Sequence, residues 1–422
     1  MGFLRQFLLC IITSLYFYSF EVKFLPGVNT KMILAFFGGL AMVFHWIKME
    51  GIYVSKEFFT AVFIALIFSG ICYYSVVYVN ETNNFDYVSY VVSMFVWYSG
   101  AYFLCTAIAY INGKIDIPSV VKLLTTVTVA QCFIALLIEF IPAVKSFVDN
   151  VLFTGNQRMN ELDRLYGIGA ELDVAGVKFA SVLVMIAIIL SESDFIKSKR
   201  GLSTFYIVSF LIISLIGNMI ARTTSLGMLI GVGYVTLKTG FWSGFFSYLN
   251  ARLWLRTVIV GVIILGVVTT LYNSYYEFYS LFRFAFEGFF NWVETGEWQT
   301  ASTEVLKNMW VYPDNLKTWI IGDGYFLDPY NSALYYMQTD VGYLRFIFYC
   351  GLVGLSVFCI FFIYLSLSIY ARFTKYKILF LLLLVVVFGN WIKVATDIFV
   401  VYAIFLAMIS PYISKNYLVE DD

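Results

Sequence analysis

Apolar runs long enough to cross a bilayer, separated by short polar connections, follow one another along almost the whole chain. About 20 apolar residues in a helix span roughly 30 Å of hydrocarbon. On that criterion spans are expected near 5-21, 31-47, 57-78, 88-112, 118-140, 174-191, 203-220, 224-239, 254-272, 340-369, 376-391 and 394-412, about twelve in all. The last two fit least well, because 376-391 is short and Gly389-Asn390-Trp391 has the character of a tight turn or kink. Composition agrees: 61% of residues are apolar and 13% charged, whereas soluble domains carry about 25% charged residues. The expected fold class is all-α, a polytopic integral membrane protein forming one domain over 1-422. No internal repeat, heptad or low-complexity tract divides it. Arg5 and the run from Phe7 to Phe20, with no small-residue cleavage site after it, read as an uncleaved first span.

Orientation follows from the short basic connections. Lys48 and Lys56, Lys197 to Arg200, Lys238 to Arg256, and Arg372 to Lys377 all fall on one side if the N-terminus is cytoplasmic. The 77-87 loop and two long loops, 141-173 and 273-338, then fall on the other side and face outward. Long loops between membrane spans are where function tends to sit. The second is expected to contain short interfacial helices, since Glu277 to Phe290 is aromatic on nearly every turn and Thr303 to Trp310 has helical spacing.

The formal net charge is zero, so no bulk basic field is present to gather nucleic acid, and charge must act locally. The six cysteines lie inside apolar runs without paired spacing, which reads as neither a disulfide framework nor a metal site. His45 is the only histidine and lies near the inner boundary, so zinc and Ser-His chemistry are not expected. No nucleotide-binding glycine motif is present; the expectation is no cofactor and no metal.

Arginines carry the strongest local signal. Arg164, in Arg164-Leu165-Tyr166-Gly167, lies in the first long loop about ten residues before the sixth span, with Arg158 six residues earlier. A guanidinium offers phosphate oxygens a permanently charged planar fork, which suits an anionic lipid headgroup at the interface. The plainer reading pairs these arginines with Glu161, Asp163, Glu171 or Asp173. Arg222 is wedged in the short outer connection between the seventh and eighth spans, where a charge needs a partner or a substrate. Gly227 and Gly231 below it have the spacing of a helix-packing face.

Asp340 stands where the second long loop meets the tenth span, and partial desolvation there would suit it to accept a proton from a sugar hydroxyl. Its plainer role is a helix N-cap. Arg345, more than a turn deeper, is positioned to pair with Asp340 or to face the same cavity. Lys393 and Asp397 have the spacing of an intrahelical ion pair.

Taken in order, these elements resemble the O-antigen polymerase and ligase superfamily, the Wzy-type membrane glycosyltransferases. The resemblance rests on about twelve spans, long loops after the fifth and ninth, Arg164-Leu165-Tyr166-Gly167 with Gly176, and Ala221-Arg222-Thr223-Thr224-Ser225. It rests also on Gly322-Asp323-Gly324, Thr339-Asp340-Val341-Gly342-Tyr343, and Gly351-Leu352-Val353-Gly354. It implies a GT-C-like bundle around an outward-opening cavity in a bacterial plasma membrane. In that cavity Arg164, Arg222, Arg158 and Arg345 would hold the diphosphate of an undecaprenyl-linked oligosaccharide, with Gly167, Asp323 and Tyr343 as secondary site residues. Expected partners are that lipid-linked glycan, membrane lipid, a flippase and a chain-length regulator. The ligase branch carries a histidine near the end of the second long loop, where this chain has Asp340, which favours polymerase over ligase. Glu171, Asp173 and Asp323 stay open beside Asp340 as the general base.

The chemistry of the residues is consistent with that mechanism. A polyprenyl diphosphate is already a good leaving group, so transfer needs charge neutralisation, exclusion of water and an aligned hydroxyl, with no obligatory metal. The alternatives are a flippase for the same lipid, a ligase-type transferase, or a membrane O-acyltransferase. A carrier more often shows repeats and broken helices at the midplane. An acyltransferase needs a reactive histidine, which His45 is badly placed to supply.

Overall fold

The structure is a computed structural model that describes residues 2–153, 164–242, 244 and 247–419. The chain begins with α1 (Gly2–Phe17), α2 (Thr30–Lys48), α3 (Lys56–Tyr73), α4 (Tyr90–Asn112), α5 (Ile117–Phe140) and the short α6 (Pro142–Val151). Next come α7 (Leu172–Glu192), a brief α8 (Asp194–Ser198), α9 (Arg200–Ile220), α10 (Thr224–Lys238) and α11 (Tyr248–Ser274). The second long loop folds into α12 (Tyr276–Ala285), α13 (Glu287–Thr295), α14 (Ala301–Asn308) and α15 (Leu316–Ile320). The chain closes with α16 (Gly342–Tyr370), α17 (Lys377–Asn390), α18 (Phe399–Met408) and α19 (Pro411–Tyr417). Polar caps set several starts: the side chains of Asn29, Ser55 and Asp116 accept from the backbone N–H of Lys31, Phe58 and Ser119 at 3.1, 3.2 and 2.8 Å.

The protein is a mostly helical, multi-pass membrane protein. Among the described residues, eight helices are long and apolar enough to cross a membrane, or nine if α18 and α19, bent by 59° at their junction, form one span. Each of the twelve expected runs holds a helix, but four are short: α1, α10, α17 and α18 have 16, 15, 14 and 10 residues. The run expected at 394-412 is cut at both ends. Before Phe399 the backbone is irregular, with Asn390 Nδ2 donating to Thr396 O at 2.8 Å and Asp397 Oδ1 accepting from Phe399 N at 2.8 Å. At its other end Pro411 opens a new helix in a new direction.

α7 is the central post of the bundle. Every residue from Ala175 to Ser191 is buried, whereas the equally apolar α11 buries only Leu253 and Val268 and lies at the periphery. Small residues let neighbours approach α7 closely. A Cβ at Gly227 of α10 would sit 2.2 Å from the Ala180 backbone, and one at Gly176 would sit 1.9 Å from Thr223 Oγ1.

Two ends of the bundle are distinct. One gathers the basic connections: Arg372 pairs with Glu57 at 2.7 Å, Lys238 with Glu192 at 3.1 Å, and Arg256 donates to Lys197 O at 3.1 Å. The other gathers the loops. There Glu21–Val22 pairs antiparallel with Leu152–Phe153, the only sheet among the described residues.

At the loop end α16 is broken at Gly351, whose φ of 67° and ψ of −175° lie outside the helical region. The break frees two carbonyls, and Ile321-Gly322-Asp323-Gly324-Tyr325 docks onto them. Asp323 N donates to Phe348 O at 2.6 Å and Gly324 N to Tyr349 O at 3.2 Å. The π-helical turn Tyr74–Val79 that ends α3 and the residues after it hold the other side of the docked loop. Ser75 Oγ donates to Tyr349 O at 2.9 Å, Asn80 Nδ2 to Gly322 O at 3.1 Å, and Thr82 Oγ1 to Gly324 O at 2.8 Å. A Cβ at Gly351 would stand 2.1 Å from Ile320 O, so only glycine permits the approach.

Candidate functional site

A cavity of about 760 Å³ opens at the loop end, beside the first turns of α7 and α10. Arg164 reaches it from the segment before α7, Arg222 from the α9–α10 turn, and Asp340 from the residue pair before α16. These three sequence candidates, 58 and 118 positions apart, thus line one space. The remaining charged groups on its wall are Asp173 of α7, Arg283 of α12, Glu287 of α13 and Lys393, just after α17.

The two guanidiniums share an aromatic neighbour. The Phe284 ring centroid lies 4.1 Å from Arg222 Cζ and 4.9 Å from Arg164 Cζ, so one ring supplies cation–π attraction to two like charges. Arg222 Nη2 pairs with Glu287 Oε2 at 2.7 Å, and its Nη1 donates to Ser302 Oγ at 2.9 Å. Burial lowers the Arg222 guanidinium from its ordinary value; Glu287 opposes that shift and Arg164 adds to it. The Nε–H groups of Arg164 and Arg222 find no acceptor among the described residues. Buried donors without acceptors are costly, and an incoming oxyanion relieves that cost.

A second ion pair lines the same cavity. Lys393 Nζ lies 2.9 Å from Asp173 Oδ1, which also accepts from Thr223 Oγ1 at 3.2 Å. This corrects the intrahelical pairing of Lys393 with Asp397: residues 391–398 are not helical, and Asp397 Oδ1 accepts from Phe399 N, the first residue of α18, at 2.8 Å. Arg283 is held away from the centre by Glu294, with Nη2 3.0 Å from Oε2, and stacks on Phe290 at 4.5 Å.

The other sequence candidates lie elsewhere. Arg345 is buried on the face of α16 that the 325–338 loop covers, with its guanidinium 3.5 Å from the Tyr335 ring and 4.1 Å from the Phe326 ring; it is not part of the cavity wall. Asp323 belongs to the dock, accepting from Thr318 Oγ1 at 2.7 Å and Lys317 Nζ at 3.1 Å. Tyr343 is a strut between helices, its hydroxyl donating to Phe388 O at 2.9 Å. Gly167 shapes the turn behind Arg164: its N–H donates to Ala170 O at 2.8 Å, and a Cβ there would meet Gln131 Oε1 at 2.7 Å. Val341, not Asp340, occupies the N-cap of α16. Arg158, Glu161 and Asp163 lie outside the described residues.

Lys393, Arg283, Glu287 and Phe284 are the cavity residues that sequence reasoning missed. The signal for Glu287 and Arg283 was their charge in an otherwise aromatic amphipathic stretch; Lys393 was masked by its spacing from Asp397. Among the described residues no group of three or more His, Cys, Asp or Glu side chains gathers as a metal site. No protein-family model matches this chain, and no curated protein or solved structure matches it either.

Proposed function

We propose that this protein polymerises oligosaccharide repeat units linked to a polyprenyl diphosphate, at the outer face of a bacterial plasma membrane. The observation that carries the reading is the convergence of Arg164, Arg222 and Asp340 on one cavity from three separate parts of the chain. Arg164 and Arg222 hold the diphosphate and neutralise it as it leaves, in a site where preorganised charge acts on the transition state. The acceptor hydroxyl attacks the anomeric carbon, the bond from that carbon to the diphosphate oxygen breaks, and Asp340 takes the hydroxyl proton. Lys393 and Asp173 line the same cavity and orient the substrate. Aromatic residues of the second loop, Trp298 and Trp310 among them, stack on sugar rings or anchor the loop at the interface.

The same reading has the short helices α1, α10, α17 and α18 crossing the membrane with the eight longer ones, giving twelve spans in a GT-C-like bundle. A flippase supplies the lipid-linked unit and a chain-length regulator acts on the product. The test is deletion of the gene, followed by gel analysis of surface glycan and of lipid-linked intermediates. Single repeat units accumulating on the outer leaflet are the expected result. Units trapped on the inner leaflet would replace the polymerase with a flippase, and unchanged polymer would end both readings.

A further inference from the structure

A cationic cavity beside a bilayer has a problem of selection, because most lipids around it carry one phosphate. Beside the cavity lies a second hollow of about 380 Å³, lined in part by Leu229, Phe289, Trp298 and Ile392. Those four side chains are exposed by half or more, an apolar surface that suits a lipid chain. Arg222, Glu287, Ser302 and Lys393 line both hollows and form the partition between them. A phospholipid with its chain in the groove would thus present its phosphate directly to Arg222.

We propose that Glu287 makes the cavity select a diphosphate over a monophosphate, by occupying Arg222 until a more highly charged headgroup displaces it. The inference rests on the diphosphate reading above and deepens it. Both ends of the Glu287 carboxylate are engaged: Oε2 pairs with Arg222 at 2.7 Å and Oε1 accepts from Ala301 N at 3.0 Å, which fixes it across the partition. Its partner Arg222 also donates to Ser302 at 2.9 Å, so the guanidinium is already oriented and loses little freedom when the anion changes. A phosphodiester carries a single negative charge and merely replaces one monoanion by another at Arg222, at the cost of leaving the buried Glu287 Oε2 without its partner. A diphosphate carries at least one charge more and spans both Arg222 and Arg164, whose Nε–H groups are open to acceptors. Specificity of this kind comes from a competing interaction built into the empty site. Asp173 pairs with Lys393 in the same manner. In this scheme Glu287 is a positioning and specificity residue, and it takes no part in proton transfer.

The experiment measures binding of inorganic pyrophosphate and inorganic orthophosphate to the purified full-length protein in detergent. Wild type, Glu287→Gln, Glu287→Asp and Arg222→Ala are compared, with vesicle-reconstituted protein titrated with phosphatidylglycerol as a further arm. Wild type is expected to prefer pyrophosphate. Glu287→Gln keeps the acceptor for Ala301 N but removes the charge, so orthophosphate and phosphatidylglycerol affinity should rise and the preference should fall roughly tenfold. Glu287→Asp, which keeps the charge but withdraws it by a methylene, should fall between the two and decides the matter if the Gln variant does not fold. An unchanged preference in both variants, or a parallel loss of both anions, overturns the role of Glu287 while leaving the clamp intact, provided Arg222→Ala loses pyrophosphate. Wild type that binds neither anion overturns the diphosphate reading and this inference together.

Discussion

Arg164 and Arg222 were legible as candidates because a permanent charge at the edge of an apolar run needs something to compensate it. The proposed clamp predicts that Arg164→Ala and Arg222→Ala each lower polymer formation by about 10²-fold or more, the scale of removing one preorganised donor. Lysine at either position should recover only part, because an ammonium keeps the charge and loses the fork. Polymer ladders normalised to protein in the membrane check this; full-length polymer from both alanine variants would end the clamp. Asp340 is separable from capping, since Val341 holds the cap position of α16. If Asp340 takes the hydroxyl proton, Asp340→Asn should lower turnover by about 10² to 10⁴ while pyrophosphate binding holds. Near-normal turnover by the purified variant with a synthetic lipid-diphosphate repeat unit would pass the role to Asp173, the one other candidate base on the wall. Lys393 was misread for a physical reason. Spacing by four puts two side chains on one face only if the backbone is helical, and residues 391–398 are not.

At the scale of elements, the glycine motifs acquire a structural account. Gly322-Asp323-Gly324 and Gly351 are read from the sequence as parts of a functional signature, yet they meet each other as loop and broken helix. Nothing in either segment announces the other, because the pairing is between backbone groups. Gly351→Ala combines a φ of 67° with a Cβ placed 2.1 Å from Ile320 O. Strained backbone of this kind costs about 1–3 kcal/mol, and the clash adds to it. The variant should melt at a lower temperature and reach the membrane in smaller amount, and Gly322→Ala should do likewise. The two losses should be less than additive, since one dock is broken in both. Gly70→Ala on α3, where a Cβ meets nothing within 4 Å, should stay within about 0.5 kcal/mol of wild type. If Gly351→Ala matches that control, the dock does not hold α16 in its broken form.

At the scale of the whole molecule, the bundle has one end rich in Lys and Arg and another that carries the loops and the cavity. The distribution of positive charge predicts that the loop end faces outward. In a cysteine-free background, Tyr330→Cys, at a position 97% exposed in the second loop, should react with an impermeant maleimide in intact spheroplasts. Phe195→Cys, exposed at the α7–α9 connection, should react only after permeabilisation. The opposite pattern would invert the protein and remove the outer-face reading.

The sequence by itself determined the membrane class, the positions of the apolar helices and the presence of short helices in the second loop. Those properties follow from local hydropathy and periodicity, which each segment carries alone. Only the tertiary structure decided that α7 is the buried post and α11 the outer wall, since both are long apolar helices and burial depends on what surrounds each. Likewise it brought Arg164, Arg222, Asp340 and Lys393 around one cavity and turned Arg345 away under Tyr335. Which charges share a space is a property of how helices pack against one another, and packing depends on small residues and turns whose partners lie far away in the chain.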